Sequence, residues 1–235
     1  MRDIMGEALL DYYHGRYTED LITWTNITAD DEMSLLYMFR DFEEMEFVEQ
    51  LALETAKGKV LDIGCGAGSH ALYLQEKGLE IKGIDISKGA IEVCKLRGLK
   101  KAENIDLLEM KTEKYDTILI LMNGSGIFRN LKEMPKYLQH LKTLLKEDGQ
   151  ILIDSTDLIY MFEDQEDGTY AIPIEKYYGE VRFWMSYKGI EGKPFDWLYI
   201  DEVVFEDYCN QNGLNLEVIG RGNHFDYLAK ITKQK

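Results

Sequence analysis

Residues 60–70 read VLDIGCGAGSH, from Val60 to His70. An apolar run carrying one aspartate, Asp62, meets glycine at every second position, at Gly64, Gly66 and Gly68. With Lys59 before it, the run is a short buried strand, and the glycines that follow are a turn. Helical spacing resumes over residues 67–77. Glycine lacks a Cβ, so such a turn lets the backbone come close to whatever lies beside it. The start of the following helix adds free amide donors and positive potential. The stretch therefore reads as a ligand-binding strand–turn–helix unit.

Outward from this unit the pattern alternates. LEIKGID is a strand, a helix follows near residues 88–97, and a weak strand sits near ENIDLL. YDTILILM is a strong strand rich in branched residues, LKEMPKYLQHLKTLLKE is an amphipathic helix, and GQILIDS is a further strand. Strands alternating with helices imply βαβ units and a mostly parallel sheet covered on both faces. After Asp154 the rhythm changes. EVRFWMSYKGIEGKPFDWLYID is aromatic and alternating, and reads as an inserted β-hairpin. EVVFEDYCNQNG is a helix stopped by Gly213. LNLEVIG and HFDYLAKIT are separated only by RGN, too short for a crossover, so as neighbours they pair antiparallel. The expected fold is α/β: a Rossmann-like, doubly wound sheet of seven strands, mostly parallel with an antiparallel last strand, plus an inserted hairpin after the fifth. Residues 31–56, with acids crowding the first turn, read as one long helix. The chain then divides into an N-terminal helical cap (1–57), a core (58–154), the aromatic hairpin (155–200) and a closing helix with two strands (201–235), all within one domain.

Composition narrows the partners. At 235 residues the chain fits one domain. The formal net charge of −16 speaks against nucleic acid, whose binders draw affinity from a basic face. A small molecule is easier to reconcile with that charge. No apolar run approaches the ~20 residues of a membrane helix, and the acid-bearing N-terminus does not resemble a secretory leader. Cys65, Cys94 and Cys209 are widely spaced, with no C-x-x-C pair, which fits a reducing cytoplasm and neither a disulfide framework nor a zinc site. His14, His70, His140 and His224 are equally scattered, so no metal is expected.

The glycine spacing selects among ligands. Dinucleotide folds prefer G-x-G-x-x-G, and here Ser69 stands where the third glycine would fall. Asp62, two residues before the first glycine, would repel a pyrophosphate but complements an ammonium. S-adenosylmethionine carries an ammonium and a sulfonium and has no phosphate. Asp85 ends the second strand about 20 residues after Gly64, where a carboxylate accepts ribose hydroxyls. Asp106 follows the weak third strand, placed to accept from an adenine amine while the Leu107 amide meets a ring nitrogen.

Taken together, VLDIGCGAG, GIDIS, NIDLL, YDTILILMNGSG and LLKEDGQILID resemble the class I S-adenosylmethionine-dependent methyltransferases over about residues 59–154. The resemblance implies cofactor contacts at Asp62, Gly64, Cys65, Gly66, Gly68, Asp85, Ile86, Asp106 and Leu107. It places Met122 and Asn123 near the methionine moiety and the transferable methyl. MNGSG departs from the Asn-Pro-Pro-aromatic motif of nucleic-acid amino methyltransferases, which again disfavours base methylation. Cys65 is read as contributing its backbone, His70 as structural or else near the cofactor, and Arg40 as a surface partner of Glu43 or Glu44, the alternative being a role beside the cofactor carboxylate or an acidic substrate. In-line methyl transfer needs a base only for a poor nucleophile. Asp154, Asp157, Tyr160 and His224 are candidates among which sequence does not choose, and no catalytic residue is assigned. The primary reading is methyl transfer to a small molecule. A protein methyltransferase, a non-enzymatic S-adenosylmethionine-binding protein and, more distantly, a nicotinamide oxidoreductase are the alternatives. The roles of Trp184, Tyr187, Trp197 and Tyr199 as core, acceptor wall or dimer face stay open, and with them a homodimer.

Overall fold

The computed structural model describes residues 2–111, 113–162 and 169–235. In chain order the elements are α1 (Ile4–Tyr13), β1 (Leu21–Thr25), β2 (Asp31–Met33), α2 (Phe47–Thr55), β3 (Lys59–Ile63), α3 (Ser69–Glu76), β4 (Glu80–Asp85), α4 (Lys88–Leu96), β5 (Ala102–Asn104), β6 (Tyr115–Ile120), α5 (Met134–Leu144), β7 (Leu145–Thr156), β8 (Glu180–Tyr187), β9 (Ile190–Glu191), β10 (Phe195–Leu198), α6 (Glu202–Gln211), β11 (Leu214–Arg221) and β12 (Asp226–Lys233).

The main sheet runs β11-β12-β7-β6-β3-β4-β5. Strands β3 to β7 pair in parallel, and β12 lies antiparallel to both β7 and β11. This is the expected seven-stranded sheet with a reversed last strand. Alternation along the strands feeds two cores. Ile118, Ile120, Ile151 and Ile153 pack with Leu138 and Leu141 of α5 and Phe205 of α6 on one face. Leu119, Leu121 and Leu152 pack with Ala52 of α2, Leu74 of α3 and Ile91 of α4 on the other. From β3 the chain winds outward through β4 to β5, then returns to β6 on the opposite flank of β3. The carboxyl ends of β3 and β6 are therefore the topological switch point, where open α/β sheets bind ligands.

The expected long helix over 31–56 does not form. Residues 31–33 are β2, two short 3₁₀ turns follow, and only Phe47–Thr55 is α-helical. The chain extends at Arg40 (ψ 152°) and Met45 (ψ 151°). Two capping boxes restart it, Asp41 with Glu44 and Glu46 with Glu49. The acids that read as one crowded helix start are thus the caps of two separate starts. The aromatic hairpin is also more than an insertion. β8 and β10 pair antiparallel, but β1 lies on the other side of β8 and β2 pairs with β1, giving a second sheet β10-β8-β1-β2 with β9 on β8. Trp24 sits opposite Trp184 in that sheet, with nearly parallel rings 6.4 Å apart. Tyr187 is buried against α1. The Trp197 indole occupies the space a Cβ on Gly126 would need.

Helix α1 anchors the N-terminal segment beside the main sheet. Its N-cap Asp3 accepts from Gly6 N and also from Ser87 Oγ and Gly89 N, both 2.9 Å away at the start of α4. A Cβ at Gly89 would lie 2.6 Å from the Gly6 backbone, so the two helices cross backbone to backbone. No helix among the described residues is long and apolar enough to cross a membrane.

Candidate functional site

The turn after β3 is built as its sequence demands. Gly64, Gly66 and Gly68 adopt φ of 72°, 53° and 86°, a left-handed region costly for other residues. Gly64 N and Cys65 N both donate to the Ile84 carbonyl, tying the turn to β4. A Cβ at Gly64 or Gly66 would meet nothing within 4 Å, whereas one at Gly68 would meet Cys94 Sγ at 2.9 Å. The first two glycines thus face open space and the third serves packing. The Cys65 side chain turns into the core, 3.7 Å from Cys94 Sγ, leaving only its backbone to the turn. The hydrogen bond to Cys94 and burial push its thiol up, so it is no nucleophile.

Asp62 is 1% exposed, and its Oδ2 has no hydrogen-bond partner. Burial pushes the carboxyl up to about 6, with His70 opposing and Asp85 adding to the rise. An uncompensated buried carboxylate is costly, and a cation brought beside it would offset that cost. Asp85, at the end of β4, accepts from Gly66 N (3.0 Å) and Ser87 N (2.7 Å). Burial pushes it above the usual range, and those two amides partly offset the rise. Ile86 stands at the rim, 77% exposed.

Asp106 accepts from Leu108 N at 2.8 Å and caps a 3₁₀ turn. The Leu107 side chain is in the core. Ile105 N donates to the Asp85 carbonyl, which holds this turn against the end of β4. After β6, Met122 (φ 67°) and Asn123 (φ 56°) are consecutive left-handed residues. The proposed site residues therefore share one edge, the carboxyl ends of β3, β4, β5 and β6.

Of the four candidate bases, Asp154 is the most enclosed. Its two oxygens accept from Asn123 N (2.9 Å) and Gly124 N (2.8 Å). Burial pushes it up to about 6 against those amides. Asp157 accepts from Tyr178 Oη at 2.7 Å. Tyr160 is 43% exposed and stacks on Phe225. His224 is exposed.

Sequence reasoning placed Arg40 on the surface with Glu43 or Glu44, and the structure corrects this. Arg40 is buried, its guanidinium bonded to both Glu49 oxygens and to the Tyr37 carbonyl, and it lies over the Tyr37 ring. Its Nε has no partner. Glu49 also bonds His70 Nε2 at 2.7 Å. Burial alone would raise Glu49, but His70 and Arg40 more than offset it and hold the carboxyl below its ordinary value. The fields of Glu49 and His70 reach Asp154, and that of His70 reaches Asp62. This buried cluster joins the N-terminal segment to the first helix of the core. Nothing in the local sequence marks it, because the helical spacing around Arg40 hides the break in the chain there.

With this geometry in place, comparison with known proteins identifies the class. A family model described as a methyltransferase domain matches residues 54–197. The crystal structure of an S-adenosylmethionine-dependent methyltransferase from Bacteroides fragilis, in complex with S-adenosyl-L-homocysteine, aligns at TM-score 0.93 and 45% identity, covering 99% of this chain and 95% of that one. An uncharacterized methyltransferase of Staphylococcus carnosus (strain TM300) is 29% identical over 201 residues, 83% of this chain and 87% of its own length. The CcbJ methyltransferase of Streptomyces caelestis, at 14% identity, TM-score 0.64, and coverage of 81% of this chain and 91% of its own, shares the fold. The chain belongs to the S-adenosylmethionine-dependent methyltransferases.

Proposed function

We propose that the protein methylates a small molecule, with the cofactor held along the carboxyl edge of β3 to β6. The observation that carries the cofactor assignment is Asp62 Oδ2, buried without a partner beside a glycine turn whose first two glycines, Gly64 and Gly66, face open space. The residues fit the group. Asp62 offers its carboxylate to the ammonium, Gly64 and Gly66 let the backbone approach, and the Cys65 and Gly68 backbones complete the turn. Asp85 accepts from the ribose, and Ile86 borders the adenine. Asp106 and the Leu107 amide take the adenine's polar edge. Met122 and Asn123 lie beside the methionine moiety. When bound, S-adenosylmethionine supplies a methyl carbon activated by its sulfonium. The protein's part is to orient the acceptor and exclude water. Backbone carbonyls at the end of β6 are suited to weak C–H···O contacts there.

The small-molecule reading rests on the net charge of −16, which opposes a polyanionic acceptor. Two measurements test the whole. Calorimetry with S-adenosylhomocysteine and S-adenosylmethionine reads the cofactor site, and binding of neither ends the assignment. Homocysteine-nucleoside release is then measured with cell extract separated into small-molecule, protein and RNA fractions. Turnover with the protein or RNA fraction alone overturns the small-molecule acceptor.

A further inference from the structure

We infer that Asp154 is a positioning residue of the methyl-transfer site, holding the left-handed Met122–Asn123 turn in shape, and not a general base. The inference rests on the cofactor reading above for its functional consequence. The geometric part stands on its own.

Two consecutive non-glycine residues in the left-handed region are disfavoured and persist only where their surroundings enforce them. Here three consecutive residues of β7 do so. Asp154 takes the Asn123 amide on Oδ2 and the Gly124 amide on Oδ1. Ser155 Oγ lies 2.7 Å from Ser125 Oγ, which is also 2.8 Å from the Leu198 carbonyl. Thr156 Oγ1 donates to Asn123 Oδ1 at 2.6 Å. The chain leaving β6 is thus fixed atom by atom to its neighbouring strand. Both oxygens of Asp154 face backbone donors, and the residue is 5% exposed. A group so engaged is poorly placed to take a proton from an acceptor. A carboxylate is also the side chain of this length that satisfies two converging amides at once, because an asparagine accepts one and presents its own N–H to the other. Gly124 completes the fit, since a Cβ there would meet Ile120 Cγ2 at 3.0 Å and Asp154 Oδ1 at 3.4 Å.

Two measurements test this. Amide hydrogen exchange on the wild-type protein without cofactor should find Asn123 and Gly124 protected like the β6 amides, although they lie beyond the strand. Free exchange at both positions overturns the inference without any mutant. In Asp154→Asn, protection at these two amides should fall, and S-adenosylhomocysteine affinity should drop roughly 10- to 100-fold, the range for one charge-assisted hydrogen bond. Met122→Gly in that background relieves one left-handed residue and should recover several-fold of the lost affinity. Wild-type affinity in Asp154→Asn with both amides still protected refutes the clamp, as does loss of affinity with unchanged protection and no recovery by glycine. If the wild type binds no S-adenosylhomocysteine, the cofactor reading fails, while the exchange experiment still decides the clamp.

Discussion

Replacing Asp62 by asparagine should stabilise the free protein while weakening its grip on the cofactor. The carboxyl is fully enclosed, and burial moves it from an ordinary value of 3.8 to about 6. The native state therefore binds this proton more tightly than the unfolded chain does. From this group, stability is greatest below pH 3.8, falls as pH rises towards 6, and stays reduced above. At 1.36 kcal/mol per pH unit the deficit at pH 7.5 is about 3 kcal/mol. Asparagine keeps the shape and removes the charge, so about 3 kcal/mol is the ceiling of the gain. Its own buried amide reduces that. At 2–4 °C per kcal/mol for a chain of this size, the melting temperature at pH 7.5 should rise by roughly 3–10 °C. The gain should shrink towards zero near pH 4. S-adenosylhomocysteine affinity at pH 7.5 should fall roughly 10- to 100-fold, as for loss of a charged partner. Below pH 6 the wild-type affinity should fall about tenfold per unit as Asp62 takes up a proton, and Asp62→Asn should show a weaker dependence over the same window. Differential scanning calorimetry and titration calorimetry across pH 4.5–8 read both effects. A destabilised Asp62→Asn at pH 7.5 would refute the reasoning, because it would mean that the carboxylate is already compensated in the free protein.

Three further outcomes follow from the geometry. Gly66→Ala should cost about 1 kcal/mol in urea denaturation, the price of a left-handed alanine, yet weaken S-adenosylhomocysteine binding far more, since its methyl enters the open side of the turn; equal effects on both would count against that face as the cradle. Glu49→Gln leaves Arg40 buried without its carboxylate and should cost about 3–5 kcal/mol, whereas the double replacement Arg40→Met, Glu49→Leu should cost markedly less. Because Glu49 is held below its ordinary 4.5, its contribution is present above that pH and is lost as pH falls through the folded value, a dependence absent from the double variant. Gly89→Ala should destabilise by more than 1 kcal/mol and release α1, seen as increased proteolysis near residues 3–13, because the added Cβ meets the Gly6 backbone at 2.6 Å.

The core of the fold was legible because its signals are local. β3, α4 and α6 fall within a residue or two of where periodicity and turn chemistry put them, and the short RGN link correctly implied the reversed last strand. The segment before the core was not legible for an equally physical reason. Between residues 31 and 56, helical spacing and N-terminal acids are satisfied as well by short turns with their own caps as by one helix. What decides between them is the burial of Arg40 against Glu49 and of Glu49 against His70, and the latter pairing, across 21 residues, leaves no mark on local periodicity. β1 was hidden likewise, since its partner β8 lies more than 150 residues away in the chain.

The same distinction governs the site. Asp62, Asp85 and the glycines announce themselves because one strand end and one turn supply each of them. Asp154 looked like a free acid at a strand end and was weighed as a base, because sequence shows the carboxylate but not the two amides that claim it. One of those amides belongs to Asn123, which is left-handed together with Met122, a conformation that nothing in MNGSG announces; the other belongs to Gly124. A carboxylate buried without a partner and one buried with two donors share a pKa near 6 for the same reason, burial, yet have opposite meanings. The unpartnered one is poised to receive a cation. The partnered one holds the wall against which that cation is positioned. Hydrogen-bond accounting separates these two where burial does not, and it supports the proposal that Asp62 serves the ligand and Asp154 the frame; Asp85, which also accepts two amides, is proposed for the ligand on its place beside the glycine turn.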